Sequence, residues 1–165
     1  MRGVAVVLAF MLVLLLSGDG IAAASKAEEY FREGYVASMA REWEAAIDWY
    51  SKSIKADPKN AEVYFQRAIT FEMTGHPARA IADYEKTLEL KPNYYLAMEY
   101  LAKLYERNSQ YRKALRLYKR ALPLVENQKW RTIVRQWMSQ AEKRLRADSK
   151  KSHSPGKSNP RDTLF

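Results

Sequence analysis

The residue types that most often carry catalysis or hold metals are scarce in this chain. It has two histidines, His76 in a predicted turn and His153 near the end, and no cysteine. A metal site needs three or four convergent histidine, cysteine or carboxylate ligands, and no such spacing occurs. The sequence also has no glycine-rich phosphate loop and no Gly-x-Ser-x-Gly turn. We therefore expect no enzyme activity, no metal and no cofactor.

Carboxylates stand close together at two places, Glu28 with Glu29 and Glu42 with Glu44. Both pairs fall where helices are predicted to begin, and negative charge is favourable at a helix N-terminus. We interpret them as solvated residues of helix starts and not as an acid–base pair.

Basic residues are concentrated in the second half of the chain. Residues 25–102 hold 10 Lys and Arg against 13 Asp and Glu, a net of −3, whereas residues 103–165 hold 17 against 5, a net of +12. Such asymmetry favours an anionic membrane or polymer as one partner, and the alternative is a solvated face that promotes solubility. The candidate basic surface consists of Arg112, Arg116, Lys119, Arg120, Arg131 and Arg135.

Both ends of the chain are predicted to lie outside the folded domain. Residues 1–24 combine Arg2, an apolar run over 4–16 and small residues before Ser25, which is typical of a secretory signal peptide cleaved after Ala24. The run is shorter than the ~20 residues of a spanning helix, although an uncleaved anchor is the alternative. Residues 148–165 have no apolar pattern and are predicted to be a disordered basic tail. We expect an exported protein, periplasmic or secreted, for which nucleic acid is a poor partner.

The elements that position the remaining candidates repeat every 34 residues. Five columns keep their residue type over two steps of this period: Gly34, Ala68 and Ala102; Ala46, Ala80 and Ala114; Ile47, Ile81 and Leu115; Tyr50, Tyr84 and Tyr118; Ile54, Leu88 and Leu122. A period of this length indicates stacked supersecondary units that bury their apolar faces against neighbours. The units run over 27–60, 61–94 and 95–128, and each is predicted to be two helices.

Prolines and an asparagine mark the predicted helix boundaries. Pro77 is placed at the first turn of a helix, where its missing N–H is tolerated, and Asn60 at an N-cap. Pro123 is predicted to end the sixth helix near Ala121. Residues 129–147 have one apolar stripe at helical spacing and are predicted to form a capping helix.

The chain resembles the tetratricopeptide repeat family. The resemblance rests on Tyr30, Tyr64 and Met98 at the fourth position, the small residues at the eighth and twentieth, the tyrosines at the twenty-fourth, and Pro58 and Pro92 at the thirty-second. It implies an all-α fold, a right-handed α-α superhelix of helical hairpins over residues 25–147 with a C-terminal capping helix. The family's leucine at the seventh position is present only as Leu101, since Glu33 and Arg67 replace it.

By the same resemblance, the first helix of each repeat lines a concave groove through its second, fifth, ninth and twelfth positions. The predicted partner-binding groove comprises Phe31, Tyr35, Glu62, Phe65, Ile69, Glu72, Leu96, Glu99 and Lys103. Its apolar members would contact a partner segment while its carboxylates select basic or polar neighbours. Alternatively, the terminal helix or a second copy covers the strip.

Family members that clamp a C-terminal carboxylate of a chaperone use lysine, asparagine and arginine at five positions. This chain has Phe31, Tyr35, Gln66, Leu96 and Tyr100 there, so the resemblance does not imply a carboxylate clamp. The sequence thus predicts a non-enzymatic envelope adaptor or assembly factor that binds another protein. The alternative is a tether whose basic end binds an anionic surface.

Overall fold

The computed structural model describes residues 24–152, of which the side chains of residues 24–150 are described. Seven α-helices and one 3-10 turn account for the regular structure of this part of the chain. They are α1 (24–39), α2 (Trp43–Ala56), α3 (Ala61–Met73), α4 (Pro77–Leu90), α5 (Tyr95–Arg107), α6 (Tyr111–Ala121), the 3-10 turn Leu122–Leu124 and α7 (Gln128–Ser152). The predicted hairpins are therefore α1–α2, α3–α4 and α5–α6, which we number hairpins 1 to 3.

The described chain forms two compact units, divided between Ala97 and Met98. In the first unit, α3 packs against both α4 and α2. In the second unit, α6 packs against α7.

The helix boundaries follow the predicted signals. The Asn60 Oδ1 atom accepts a hydrogen bond from the Glu62 N–H at 3.0 Å, so Asn60 caps α3 as predicted. Pro77 is the first residue of α4. Helix α6 ends at Ala121, immediately before the 3-10 turn that contains Pro123. Each of these three predictions is confirmed.

The three hairpin turns share one backbone conformation that the sequence alone did not indicate. Arg41, Gly75 and Ser109, spaced by 34 residues, have positive φ angles of 62°, 74° and 58°. In each turn the next residue donates its N–H across five residues to a helix carbonyl, as from His76 to Phe71 at 2.8 Å. This is the left-handed C-cap that glycine adopts most easily, so hairpins 1 and 3 form it despite the Cβ of Arg41 and Ser109.

The small and aromatic columns form the core of each hairpin. Tyr50, Tyr84 and Tyr118 are 0% exposed, as are Ala46, Ala80 and Ala114. A Cβ on Gly34 would lie 2.6 Å from Tyr50 Cδ1, so glycine is required where this ring approaches the α1 backbone. Tyr50 contacts Phe31 and Tyr84 contacts Phe65 within hairpins 1 and 2, whereas Tyr118 contacts Trp137 of α7.

The capping helix is longer than predicted. Helix α7 continues to Ser152, five residues beyond the expected end at 147, because no proline or glycine occurs before Pro155. Val134 and Ala141 of its stripe are buried, whereas Trp130 is 50% exposed. The predicted signal peptide, apart from Ala24, and the tail from residue 153 lie outside the described residues. None of the helices among residues 24–152 has the length and apolar character to cross a bilayer.

Candidate functional site

The most open part of the predicted groove lies in the first unit. Tyr35, near the end of α1, is 47% exposed. Phe31 on α1, Ile69 on α3 and Leu96 on α5 are half-buried. Four apolar groove positions in this unit thus keep part of their surface accessible.

Phe65 is more buried than the predicted accessible groove strip requires. Its side chain is only 4% exposed, and its ring centroid lies 4.9 Å from that of Tyr94 and 5.9 Å from that of Tyr84. Tyr94, the last residue of the second repeat, covers the position from outside. Phe65 is therefore a core residue, which the repeat register alone did not reveal.

The Glu62 carboxylate accepts two side-chain hydrogen bonds in this part of the groove. Its Oε2 accepts a hydrogen bond from the Tyr94 hydroxyl at 2.6 Å, and its Oε1 accepts one from Gln66 Nε2 at 2.8 Å. Burial and the neighbouring Glu62 carboxylate together raise the pKa of Tyr94, so the phenol stays a donor at neutral pH. Both donors are neutral, so neither offsets the formal charge of the Glu62 carboxylate.

Tyr50 lies near this surface, with its ring centroid 6.0 Å from that of Phe31. Its hydroxyl is buried without a hydrogen-bond partner of good geometry among the described residues. Burial raises the pKa of Tyr50, Ser38 lowers it, and the nearby Tyr35 and Glu62 raise it further. At the far end of α3, Glu72 Oε1 accepts a hydrogen bond from the Tyr84 hydroxyl at 2.7 Å.

In the second unit, the terminal helix contacts the predicted groove position Lys103. Lys103 Nζ lies 2.7 Å from Glu99 Oε1 and 4.0 Å from the ring centroid of Trp137 on α7. The Trp137 ring in turn lies 5.9 Å from that of Tyr118, and Glu99 is 8% exposed. The Lys103 side chain nevertheless stays 41% exposed, so α7 contacts this position without covering it.

Two buried polar groups of hairpin 3, the Tyr118 hydroxyl and the Glu106 carboxylate, were not among the predicted site residues. Tyr118 OH and Glu106 Oε1 are both buried with no hydrogen-bond partner of good geometry among the described residues. Burial raises the pKa of Glu106, although Arg144 of α7 lowers it. Burial, with the charges of Glu106 and Glu99, raises the pKa of Tyr118. The signal available in the sequence was the 34-residue register, which pairs Glu106 with Tyr118 as it pairs Glu72 with Tyr84.

The replacement of leucine by Arg67 at the seventh position has a structural explanation. Arg67 Nε and Nη2 donate to the two carboxylate oxygens of Asp83 at 2.7 and 2.9 Å, and Nη1 donates to Ser51 Oγ at 2.9 Å. The ion pair is largely buried, with side-chain exposures of 18% and 9%. It links α3 to α4 and to α2, so it is a structural group and not a binding site.

The candidate basic surface is mostly solvent-exposed. All of its members except Arg131 are exposed: Arg112, Arg116, Lys119, Arg120 and Arg135. Arg131 is half-buried, and its Nε atom is buried without a hydrogen-bond partner in the described chain. Within residues 24–152 there is no group of three or more side chains suited to hold a metal ion.

Comparisons with known proteins agree with this architecture. A family model described as "TPR repeat" matches residues 42–75, and one described as "Tetratricopeptide repeat" matches residues 65–128. Together they cover residues 42–128, more than half of the chain.

Relatives and solved structures show the same repeat. The chain is similar to the small glutamine-rich tetratricopeptide repeat-containing protein 2 of Mycosarcoma maydis, with 31% identity over 59% of this chain and 28% of that protein. The protein of that name in Saccharomyces cerevisiae is 26% identical over 72% of this chain and 34% of its own length. The chain thus spans about a third of these relatives.

Among solved structures, the TPR2B domain of yeast Sti1, in complex with pHsp70, superposes with a TM-score of 0.65 at 28% identity, covering 72% of this chain and 98% of that domain. The hairpins, the matched family models and this superposition agree with the predicted all-α superhelical fold class. The chain belongs to the tetratricopeptide repeat family.

Proposed function

We propose that this protein is a non-enzymatic interaction module, an adaptor or assembly factor of the cell envelope that holds a segment of another protein. The contact surface is the open part of the groove in the first unit, formed by Phe31, Tyr35, Ile69 and Leu96. The observation that carries the proposal is the 47% exposure of Tyr35 at a groove position, since aromatic rings are preferred anchors in protein interfaces.

The chemistry of this surface favours a segment with apolar residues next to a basic or polar one. Glu62 supplies a negative charge that its two neutral donors leave uncompensated. The five positions of the carboxylate clamp hold no lysine, asparagine or arginine, so an acidic chain terminus is not the preferred ligand. The Sti1 domain, described in complex with pHsp70, supports peptide binding by a domain of this fold but not the same ligand.

Location in the envelope rests on the sequence of residues 1–24 and on the absence of cysteine. The test of both the location and the groove is site-specific photo-cross-linking in the native host. A photoreactive amino acid replaces Tyr35 in one strain and Trp130, an exposed aromatic residue of α7, in the other. We expect one envelope protein to be cross-linked from position 35 and not from position 130.

The groove variant is Tyr35→Glu with Ile69→Glu, which avoids the buried Phe65. Ala78→Glu with Ala82→Glu on α4 is the matched control, because both alanines are exposed, neither is at a groove position, and the charge change is the same. The partner should be lost from the groove variant and kept by the control. Equal recovery by both variants would overturn the groove proposal.

A basic tether remains the second candidate because α6 carries five exposed basic residues and no acidic one. Charged surfaces are screened beyond a Debye length of roughly 4–5 Å at 0.5 M salt. Binding of the chain to anionic vesicles that is lost in such salt, without any cross-linked protein, would favour the tether.

A further inference from the structure

The outer face of the second helix in each hairpin changes sign from one end of the chain to the other. The eighteenth and twenty-second positions of the repeat hold Glu44 and Asp48 on α2, Ala78 and Ala82 on α4, and Arg112 and Arg116 on α6. All six residues are exposed. At these two repeat positions, hairpin 1 therefore has two negatively charged residues, hairpin 2 has no charged residue, and hairpin 3 has two positively charged residues.

The four charged side chains have no ion-pair partner among residues 24–150. Other acidic residues are used within the fold, as Asp83 is by Arg67 and Glu99 by Lys103. Glu44, Asp48, Arg112 and Arg116 are thus available to a partner, and removing them costs the described fold no recorded contact.

The charged residues next to these positions keep the exposed face of α2 acidic and that of α6 basic. On α2, Glu42 precedes the pair, and the next cation on that face, Lys52, is folded over the Trp49 ring with Nζ 3.8 Å from its centroid. On α6, Lys113 is folded over Tyr105 at 4.9 Å, while Lys119 and Arg120 extend the positive charge. The first two turns of α2 are therefore acidic, and the whole outer face of α6 is basic.

We propose that the outer faces of α2 and α6 are complementary contact surfaces between two copies of this chain. Glu44 and Asp48 of one copy face Arg112 and Arg116 of another. Both pairs are spaced four residues apart on helices, so their side chains lie about 5–6 Å apart on one face and match in spacing as well as sign. A polyanion would account for Arg112 and Arg116 only, whereas a second copy accounts for the acidic pair in the same register.

The contact is heterologous, since two different patches meet, and it is electrostatic. Exposed ion pairs are weak individually and are screened by salt. We therefore expect reversible, concentration-dependent association that weakens as salt rises, and not a permanent oligomer.

The experiment is sedimentation velocity on residues 25–165, which include α2 to α7 complete. At about 100 µM protein and about 50 mM salt we expect species larger than the monomer, and monomer alone at about 500 mM salt. Glu44→Arg with Asp48→Arg places like charges opposite each other, as does Arg112→Glu with Arg116→Glu. Each variant alone should associate at least about tenfold more weakly than the natural chain.

Mixing the two variants restores opposite charges at both possible contacts between them, because one variant has two basic faces and the other has two acidic faces. The mixture should therefore associate although neither component does. The control is Glu29→Arg with Glu33→Arg, which makes the same change in net charge on exposed α1 residues and should leave association intact.

Three results would overturn the proposal: a natural chain that is monomeric at every salt concentration, a control as damaging as the α2 variant, or a mixture that stays monomeric. A monomer that binds anionic vesicles through Arg112 and Arg116 would assign the basic face to a membrane instead. The groove variant Tyr35→Glu with Ile69→Glu should associate normally, so failure of this proposal and of the groove proposal can be told apart.

Discussion

Hairpins 2 and 3 fill the same two buried repeat positions with different chemistry, an ion pair in one and two leucines in the other. At the seventh and twenty-third positions, hairpin 2 has the ion pair of Arg67 with Asp83, and hairpin 3 has Leu101 and Leu117. All four side chains are largely buried, at 2% and 7% for the two leucines. The same two positions are therefore buried in hairpins 2 and 3 with either chemistry, whereas hairpin 1 has an exposed Glu33 at the seventh position.

The two chemistries differ in how they respond to change. A buried ion pair repays desolvation only while both partners and their hydrogen bonds are intact, and Arg67 uses all three donor nitrogens on Asp83 and Ser51. When atoms are removed from a buried apolar pair, the free energy of unfolding falls in proportion to the apolar volume lost. Hairpin 2 is thus the more sensitive to a single substitution.

The largest expected effect comes from breaking the ion pair at one side. Asp83→Leu leaves the Arg67 guanidinium buried without its carboxylate, which should lower the free energy of unfolding by about 3 kcal/mol. Urea unfolding followed by circular dichroism measures it, with Asp48→Leu as an exposed control. A loss as small as the control's would mean that Arg67 reaches solvent and that the pair is not structural.

A smaller effect of opposite sign should follow from making hairpin 2 resemble hairpin 3. Replacing both Arg67 and Asp83 by leucine removes the desolvation cost, and Ser51 keeps its hydrogen bond to the Ile47 carbonyl. We expect stability equal to that of the natural chain or higher by about 1 kcal/mol. The same urea titration tests it. If the double variant were as unstable as Asp83→Leu, the two hairpins would not be interchangeable at these positions.

The smallest expected effect concerns a second difference between the hairpins. Tyr84 donates to Glu72 in hairpin 2, whereas Glu106 of hairpin 3 has a buried oxygen without a partner in the described chain. The pKa of Glu106 is raised by burial, so its carboxyl holds a proton more tightly in the folded chain than in the unfolded one. Stability should therefore fall as the pH rises from the ordinary glutamate pKa of about 4.5 through the higher pKa of the folded chain.

Glu106→Gln removes this titration and should stabilise the chain at neutral pH by less than about 1 kcal/mol. Thermal unfolding between pH 4 and pH 7, compared with Glu126→Gln at an exposed site, would detect the flatter dependence. A variant destabilised at pH 7 would show that the charged Glu106 is useful in hairpin 3, for instance through Arg144.

Much of the fold was predictable from the sequence because it depends on local signals. The period of 34 residues, Asn60, Pro77 and Pro123 fixed hairpin number and most boundaries. The candidate site was less predictable. The repeat position of a residue indicates the direction of its side chain, but it does not indicate which neighbouring side chains bury it. Phe65 is covered by Tyr94, and Lys103 contacts Trp137. Both of these neighbours come from elsewhere in the chain.

The sequence by itself determined the repeat, the helical class, the small–aromatic core columns and the reversal of charge along the chain. These features are properties of residue type and spacing. Only the tertiary structure decided that Arg67 is satisfied by Asp83 and Ser51, that Tyr35 is open while Phe65 is not, and that Trp137 of α7 contacts Lys103. Each of these depends on side chains brought together from distant positions, where burial and hydrogen bonding are set by neighbours that no local pattern specifies.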